Sequence, residues 1–199
     1  IRNVPGNFQR AMDTWHGLKA ISASNLTLGI HTVISQYNVD AIPALYDQVQ
    51  ALAPDSYITE IAEERVELDT IGADIAPPVE DYLRTAGFLR ARLLETRLRG
   101  VARVAGAFRA RYYDLVVAWL RERRQMIPCH AGWASAQISP DGDVWFCCIQ
   151  AESVGNLREV DYDFRRIWRG ERARALREEV RAGRCDCPLA NAAYTNLLL

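Results

Sequence analysis

The sequence predicts a mixed α/β chain in three successive parts. Over roughly the first 75 residues, helix and strand patterns alternate, which is typical of a parallel sheet with crossover helices, part of either a barrel or a doubly wound fold. Residues 79–125 carry one long helical pattern. From Cys129 onward, short strand patterns, a Pro-Asp-Gly turn and five cysteines predict a small α+β unit built on a β-hairpin.

Composition places few restrictions on function. The chain has 199 residues, and its 49% apolar content supports a packed core. No run approaches the ~20 apolar residues that span a bilayer, and no leader peptide is visible, so we expect a cytosolic, reducing compartment and no membrane contact. Arginine supplies 23 of the 24 basic residues against 25 acids, and this balance predicts no nucleic-acid surface. The start at Ile1 and the apolar end at Leu199 predict a piece of a longer chain.

The first element is a predicted helix, because its apolar residues recur every three or four positions at Phe8, Met12, Trp15 and Leu18. A strand follows at 26–35. It is rich in β-branched residues and apolar through most of its length, which predicts burial on both faces of a parallel sheet.

The next helix should be capped by Asp40 and carry Pro43 in its first turn. A second strand is expected at 56–62. Beyond it, residues 79–125 predict one or two helices with possible interruptions at Gly100 and Gly106, and their many arginines are expected on a solvated face.

The last part is predicted to begin with hairpin strands at 133–139 and 143–147. Helices are expected at 163–169 and 171–184, and the second should end just before Cys185 and Cys187.

The cysteine spacing indicates a metal site. A Cys-x-Cys pair rarely closes on itself as a disulfide, and an odd total leaves one thiol over. Successive strand residues point to opposite faces, so Cys147 and Cys148 should not both reach one site. We expect Cys147 to be the ligand and Cys148 to be a small buried residue. The predicted ligand set is Cys129, Cys147, Cys185 and Cys187.

Four thiolates suit a tetrahedral zinc or an iron–sulfur cluster. Zinc ribbons usually draw their ligands from two Cys-x2-Cys knuckles. The wide spacing in this chain therefore favours a cluster, with zinc or unligated structural thiols as the alternatives.

Several motifs in this region resemble the SPASM/twitch auxiliary-cluster region of radical SAM enzymes. They occur in the family's order over about residues 127–199: Cys129-His130-Ala131-Gly132-Trp133, Gly142-x4-Cys147, Gly155-Asn156-Leu157, Ile167-Trp168 and Cys185-x-Cys187-Pro188. Upstream segments are similar, more weakly, to barrel segments of that family. Residues 1–8 resemble the segment after the fourth strand, 32–38 the fifth strand and 64–68 the segment after the sixth.

The resemblance implies a partial radical SAM barrel at 1–78, a helical connector at 79–126 and a twitch/SPASM-like iron–sulfur domain at 127–199. It also implies an auxiliary [4Fe–4S] cluster. In the whole enzyme it implies S-adenosyl-L-methionine (SAM) and a second cluster, with Ser35, Asn38 and Arg65 at barrel-strand ends as candidate SAM contacts. Polar residues in such positions equally often cap loops or pair with neighbours.

The sequence departs from the family in two respects. The SAM-cleaving Cys-x3-Cys-x2-Cys loop is absent from this sequence, so we expect no SAM cleavage by the chain as given, and whether it is an enzyme stays open. A full SPASM region also has more cysteines, and Asn191 stands where some relatives have another, which favours the single-cluster twitch type.

The resemblance implies a function in electron transfer during radical modification of a peptide or small molecule, with an electron donor as partner. The alternative is a non-enzymatic binding module whose fold is stabilised by zinc or by a cluster.

Overall fold

The computed structural model describes residues 4–21, 23–184, 187–188 and 190–199. Its helices and strands follow in chain order: α1 (Asn7–Lys19), β1 (Gly29–Ile34), α2 (Ile42–Ala51), β2 (Ser56–Ile61), α3 (Val79–Glu95), α4 (Val101–Glu122), β3 (Gln137–Ile138), β4 (Asp143–Trp145), β5 (Ser153–Asn156), α5 (Phe164–Trp168), α6 (Glu171–Arg181) and α7 (Ala190–Leu198). The predicted α/β character is confirmed.

A parallel β-α-β unit opens the fold. β1 and β2 pair in parallel with Gly29 opposite Ser56 and Ile34 opposite Ile61, and α2 makes the crossover. β1 alternates between exposed and half-buried residues up to the buried Ile34, and Val33 is 46% exposed. The predicted burial of β1 on both faces is therefore wrong, because alternation means that only one face meets the core. In the described residues this sheet has two strands, so a barrel stays a prediction.

The predicted connector helices share the core of this sheet. Tyr82 of α3 and Tyr112 of α4 are fully buried against Ile34, Ile42 and Ile61. Burial of these large side chains supplies most of the favourable free energy of such a core. The helices thus form part of the first core in addition to joining two regions.

Gly100 separates the two helices. Its φ of +55° lies in the region that glycine tolerates best, and α4 begins at the next residue. Gly106 does not interrupt α4, but a Cβ there would lie 2.5 Å from Leu98 Cδ1, so glycine permits this close approach.

Helix α7 was not predicted. Its Ala193 is buried in the first core, and the Tyr194 ring lies 5.6 Å from that of Tyr112 on α4. The chain that follows Cys187 therefore returns to the first core.

A second core lies beneath the three-stranded antiparallel sheet β3-β4-β5. It contains Ala131, Val144, Phe146, Val154, Ile167, Ala173 and Leu176. The predicted hairpin is confirmed, but its strands are shorter than expected. β4 ends at Trp145, because the chain turns at Cys147, where the backbone oxygen accepts a hydrogen bond from Ala151 N at 2.9 Å.

Other elements agree with the sequence in type and differ in detail. α1 is a helix as predicted, yet it buries no residue and Phe8 is 73% exposed. Asp40 does not cap α2, because it lies inside a 3-10 turn whose last residue, Ala41, occupies the N-cap position. Asp163 does cap α5, accepting a hydrogen bond from Arg165 N at 3.0 Å. The start of the segment 1–8 falls on residues 1–3, outside the described residues.

A buried hydrogen bond joins the sheet to α4, and its removal should destabilise the fold. Thr59 Oγ1 and Tyr113 Oη lie 2.6 Å apart. Tyr113→Phe should lower the free energy of unfolding by about 1–3 kcal/mol in urea titrations, because it takes this partner from the buried Thr59 hydroxyl. Tyr162→Phe, at a residue 72% exposed, should change it by less than about 0.5 kcal/mol. If the losses from Thr59→Val and Tyr113→Phe simply add in the double variant, the hydrogen bond contributes nothing.

The buried tyrosines should make stability fall at alkaline pH. Burial raises the pKa of Tyr113 to about 12 and raises the pKa of Tyr82 and Tyr112 well above the usual value. Unfolded tyrosine ionises near pH 10, so above that pH the unfolded chain releases protons that the folded chain retains. The free energy of unfolding should be level below about pH 10 and fall as pH rises through about 12. A level curve across that range would contradict these pKa shifts.

Candidate metal centre

A tight turn orders the chain ahead of Cys147. Gly142 has φ +94°, and its N–H donates to Ser139 O at 3.0 Å. The Ser139 hydroxyl accepts a hydrogen bond from Asp143 N at 3.0 Å. The Pro-Asp-Gly sequence therefore fixes where β3 and β4 pair.

The Gly155-Asn156-Leu157 motif stabilises this turn through hydrogen bonds. Asn156 Nδ2 donates to Asp143 Oδ1 at 3.0 Å and to Asp141 O at 3.2 Å, and Leu157 N donates to Gly142 O at 2.8 Å. A Cβ on Gly155 would lie 3.1 Å from Ile167 Cγ2, so this glycine lets β5 pack closely on α5. The motif thus has a structural role.

Cys147 lies in a turn of its own. Ile149 N donates a hydrogen bond to Cys147 Sγ at 3.2 Å, and Ala151 N donates to Cys147 O at 2.9 Å. An N–H group directed at sulfur stabilises the thiolate form, which is the form that ligates metals.

The loop after Cys129 lies against Phe146. Gly132 has φ +81°, and a Cβ there would lie 2.4 Å from the Phe146 ring. Gly132 N bonds to Ser135 O at 2.9 Å, while His130 N bonds to Asn196 Oδ1 of α7 at 2.9 Å. The loop is thereby held between the second core and α7.

Arg177 of α6 connects three segments of this region. Its guanidinium donates to Gly132 O and, at 2.8 Å, to Trp168 O. It also lies over the rings of Trp168 and Phe146, at 4.4 and 5.1 Å from their centroids. Burial and the nearby charge of Arg174 lower the pKa of Arg177, but a guanidinium remains charged in proteins.

Three of the four predicted ligands line one cavity. Cys129, Cys147 and Cys187 surround a space of about 260 Å³, together with Phe146 and Thr195 among its walls. Such a space exceeds the roughly 30 Å³ that a single water occupies. Cys185, the fourth predicted ligand, lies outside the described residues. Within the described part, no group of three or more His, Cys, Asp or Glu side chains is arranged to hold a metal ion.

Cys148 does not line this cavity. It is 3% exposed, and burial raises its pKa, while a hydrogen bond with Gln137 and the charge of Arg65 lower it. The two neighbouring cysteines thus have different surroundings, as predicted. The reason given by strand alternation is wrong, because both residues lie beyond the end of β4.

Residues 129–188 match the family model for SPASM, described as an iron-sulfur cluster-binding domain. The chain contains a SPASM domain. The match covers less than half of the sequence and includes all five cysteines. No curated protein and no solved structure matches the chain.

The SPASM match supplies iron–sulfur binding as the chemistry of this region. The residues present are chemically suited to such a group, because three cysteines from separate segments line one cavity and a backbone N–H is directed at one of the sulfurs. None of the described helices is long and apolar enough to cross a membrane.

Two of the predicted SAM contacts, Ser35 and Asn38, form a local turn after β1. Asn38 Oδ1 accepts hydrogen bonds from Ser35 N at 2.7 Å and from its Oγ at 3.2 Å, and Asn38 Nδ2 donates to Val33 O at 2.9 Å. This is the loop-capping role that the sequence left open.

Arg65, the third predicted contact, lies among carboxylates after β2. Its guanidinium is 3.9, 3.8 and 3.4 Å from Glu60, Glu63 and Glu67. Burial lowers the pKa of Arg65, but its electrostatic interactions with Cys148, Glu63 and Glu60 and its hydrogen bond with Glu67 outweigh the effect of burial, so the pKa is raised overall. All three predicted contacts follow the carboxyl ends of parallel strands.

Sequence reasoning missed three contributors to the SPASM domain: Gln137, Ile149 and Arg177. Nothing in the sequence identifies the Ile149 N–H as a partner of sulfur, because backbone direction depends on the turn. An arginine on the apolar side of α6, one residue after Leu176, was the available signal for Arg177.

Removing the Arg177 guanidinium should destabilise the SPASM domain. Arg177→Met should lower the free energy of unfolding of this region by about 1–3 kcal/mol, because two backbone carbonyls lose a charged donor. Arg177→Lys should restore only part of it, since lysine cannot reproduce the planar fork. Arg172→Met, at an exposed ion pair with Glu152, should have little effect. Hydrogen exchange at residues 130–135 is the measurement, and unchanged protection in Arg177→Met would contradict the role.

Proposed function

We propose that this chain binds an auxiliary [4Fe–4S] cluster through Cys129, Cys147, Cys185 and Cys187. The observation that carries the proposal is that three of these cysteines, spread over 59 sequence positions from 129 to 187, line one cavity. Cys185 is separated from Cys187 by one residue, so it can supply the fourth thiolate from the same segment.

The SPASM match favours a cluster over zinc, and the cavity has room for one. In a structural zinc site four ligands close around one ion, with Zn–S distances of about 2.3 Å. The cavity of about 260 Å³ that the three cysteines help to line has room for a group of several atoms.

A cluster held by four protein thiolates has no open coordination position and supplies one-electron transfer. The chain's own residues would tune this chemistry. Ile149 N–H stabilises negative charge on Cys147, and the 3% exposed Phe146 ring keeps water from one wall of the cavity. Trp133 is 41% exposed and does not line this cavity.

We infer further that the cluster serves a radical SAM enzyme acting on a peptide or small molecule, in a reducing cytosolic compartment and with a redox partner. The resemblance of the N-terminal part to a radical SAM barrel supports this, as does the parallel pairing of β1 and β2. Ser35, Asn38 and Arg65 would then lie at the strand ends where barrel chemistry occurs.

Metal analysis tests the cluster. Protein purified without oxygen should be brown and contain about four iron and four sulfide per chain, with a reversible one-electron signal at low potential. Cys129→Ala and Cys187→Ala should lose most of the iron. Cys148→Ala is the matched control and should retain it, because Cys148 lies outside the cavity. Colourless protein with stoichiometric zinc would overturn the proposal and favour the metal-stapled binding module.

A further inference from the structure

The turn that carries Cys147 is tied to the loop after β2 by a backbone hydrogen bond. Val66 N donates to Ile149 O at 3.2 Å. Ile149 therefore contacts the predicted ligand through its N–H and the other half of the molecule through its carbonyl. Movement of the β2 loop must act on the residue that directs an N–H at the sulfur.

A charged side chain lies next to this hydrogen bond in the sequence, because Arg65 precedes Val66. On the other side of the bond, Cys148, which is 3% exposed, directly follows Cys147 and precedes Ile149. The Arg65 side chain is only 22% exposed and pairs with Glu60, Glu63 and Glu67 at 3.4–3.9 Å. The Val66–Ile149 hydrogen bond thus brings the part of the β2 loop that carries Arg65 to the turn that carries Cys147 and Cys148.

The hydrogen bond and the nearby charge can both affect the reduction potential of a bound cluster. Hydrogen bonds to sulfur and nearby charges are among the factors that set the reduction potential of an iron–sulfur cluster. The reduced cluster carries one more negative charge than the oxidised one. An N–H donor or a cation close by therefore stabilises the reduced form and raises the potential.

We propose that Arg65, Val66 and Ile149 form a link through which the β2 loop sets the reduction potential of the cluster at Cys147. Arg65 and Ile149 act as positioning residues, and the potential responds to how Arg65 is paired. The inference rests on the proposed function, because it requires a cluster. The chemical step is a one-electron reduction in which dithionite supplies the electron and no bond forms or breaks.

Val66→Pro removes the link with little other change. Proline deletes the N–H that bonds to Ile149 O, and Arg65, at φ −135° and ψ 134°, already has the extended conformation that a residue before proline prefers. Val66 is 51% exposed, so its side chain contributes little packing. Val66→Ala is the matched control, because it shortens the side chain and keeps the N–H.

The measurement is a redox titration of the cluster, followed by electron paramagnetic resonance. At the solution potential that half-reduces the wild-type cluster, Val66→Pro should shift the reduced-to-oxidised ratio at least tenfold toward the oxidised form. For a one-electron couple this is a potential about 59 mV lower. Val66→Ala should stay within about twofold of wild type, a shift of less than about 18 mV.

Arg65→Met tests the charged contact independently. It removes the cation and leaves the glutamates, so it should also lower the potential. Arg84→Met is its control, because it makes the same chemical change at an arginine that pairs with Asp81 on α3 at 2.7 Å. If Val66→Pro fails to fold, as judged by circular dichroism, Arg65→Met decides the outcome.

The outcomes separate this inference from the proposed function. Wild-type protein without iron refutes the proposed function. Full iron content with unchanged potentials in Val66→Pro and Arg65→Met overturns the link and leaves cluster binding intact. Loss of iron from a folded Val66→Pro variant, with iron kept in Val66→Ala, supports the link, since the ligand turn then depends on that hydrogen bond.

Discussion

The cysteine-bearing half of the molecule depends on the guanidinium of Arg177. The segments that carry Cys129 and Cys147 lie outside the helices and strands. Backbone carbonyls in such loops need hydrogen-bond partners. Arg177 supplies them to Gly132 and Trp168 and lies over the Phe146 ring next to Cys147. One side chain of α6 therefore sets the distance between the loop after Cys129 and the turn of Cys147. Only arginine combines a planar charged face with several donors directed outward in a fork.

The fold brings distant thiols together by returning the chain to its first core. Closing a loop between residues 129 and 187 costs conformational entropy, and a flexible tail after Cys187 would leave that cost unbalanced. Helix α7 offsets it by burying Ala193 against α4 and by bonding Asn196 to His130 N. The same helix contributes Thr195 to the cavity wall. The cavity thus lies where the second core meets a helix that belongs to the first.

The sequence predicted those features that depend on local chemistry. Pro43 and the β-branched run before it predicted the β-α-β unit, and Pro-Asp-Gly predicted the hairpin. Where tertiary contacts decide, prediction failed. α1 has an apolar face that the described residues do not bury, and α7 has weak helical signals, so its packing on α4 was not foreseeable. The separation of Cys147 from Cys148 was predicted from strand alternation, but it arises from a turn whose geometry depends on the Ile149 and Ala151 N–H groups.

The position of Cys148 explains why a buried thiol comes directly after a predicted ligand. Cys148 is buried and directly precedes Ile149, so a larger side chain would need extra space beside the bond from Val66 N to Ile149 O at 3.2 Å. A charged one would lie among Glu63, Arg65 and Glu67, whose charges already act on the thiol. Cysteine is small and polarisable, and it accepts burial with one weak hydrogen bond from Gln137. A small buried side chain at this position is compatible with the close contact between the cysteine turn and the β2 loop. Cys147 lines the cavity, while Ile149 of the same turn stays bonded to Val66 in the loop after β2.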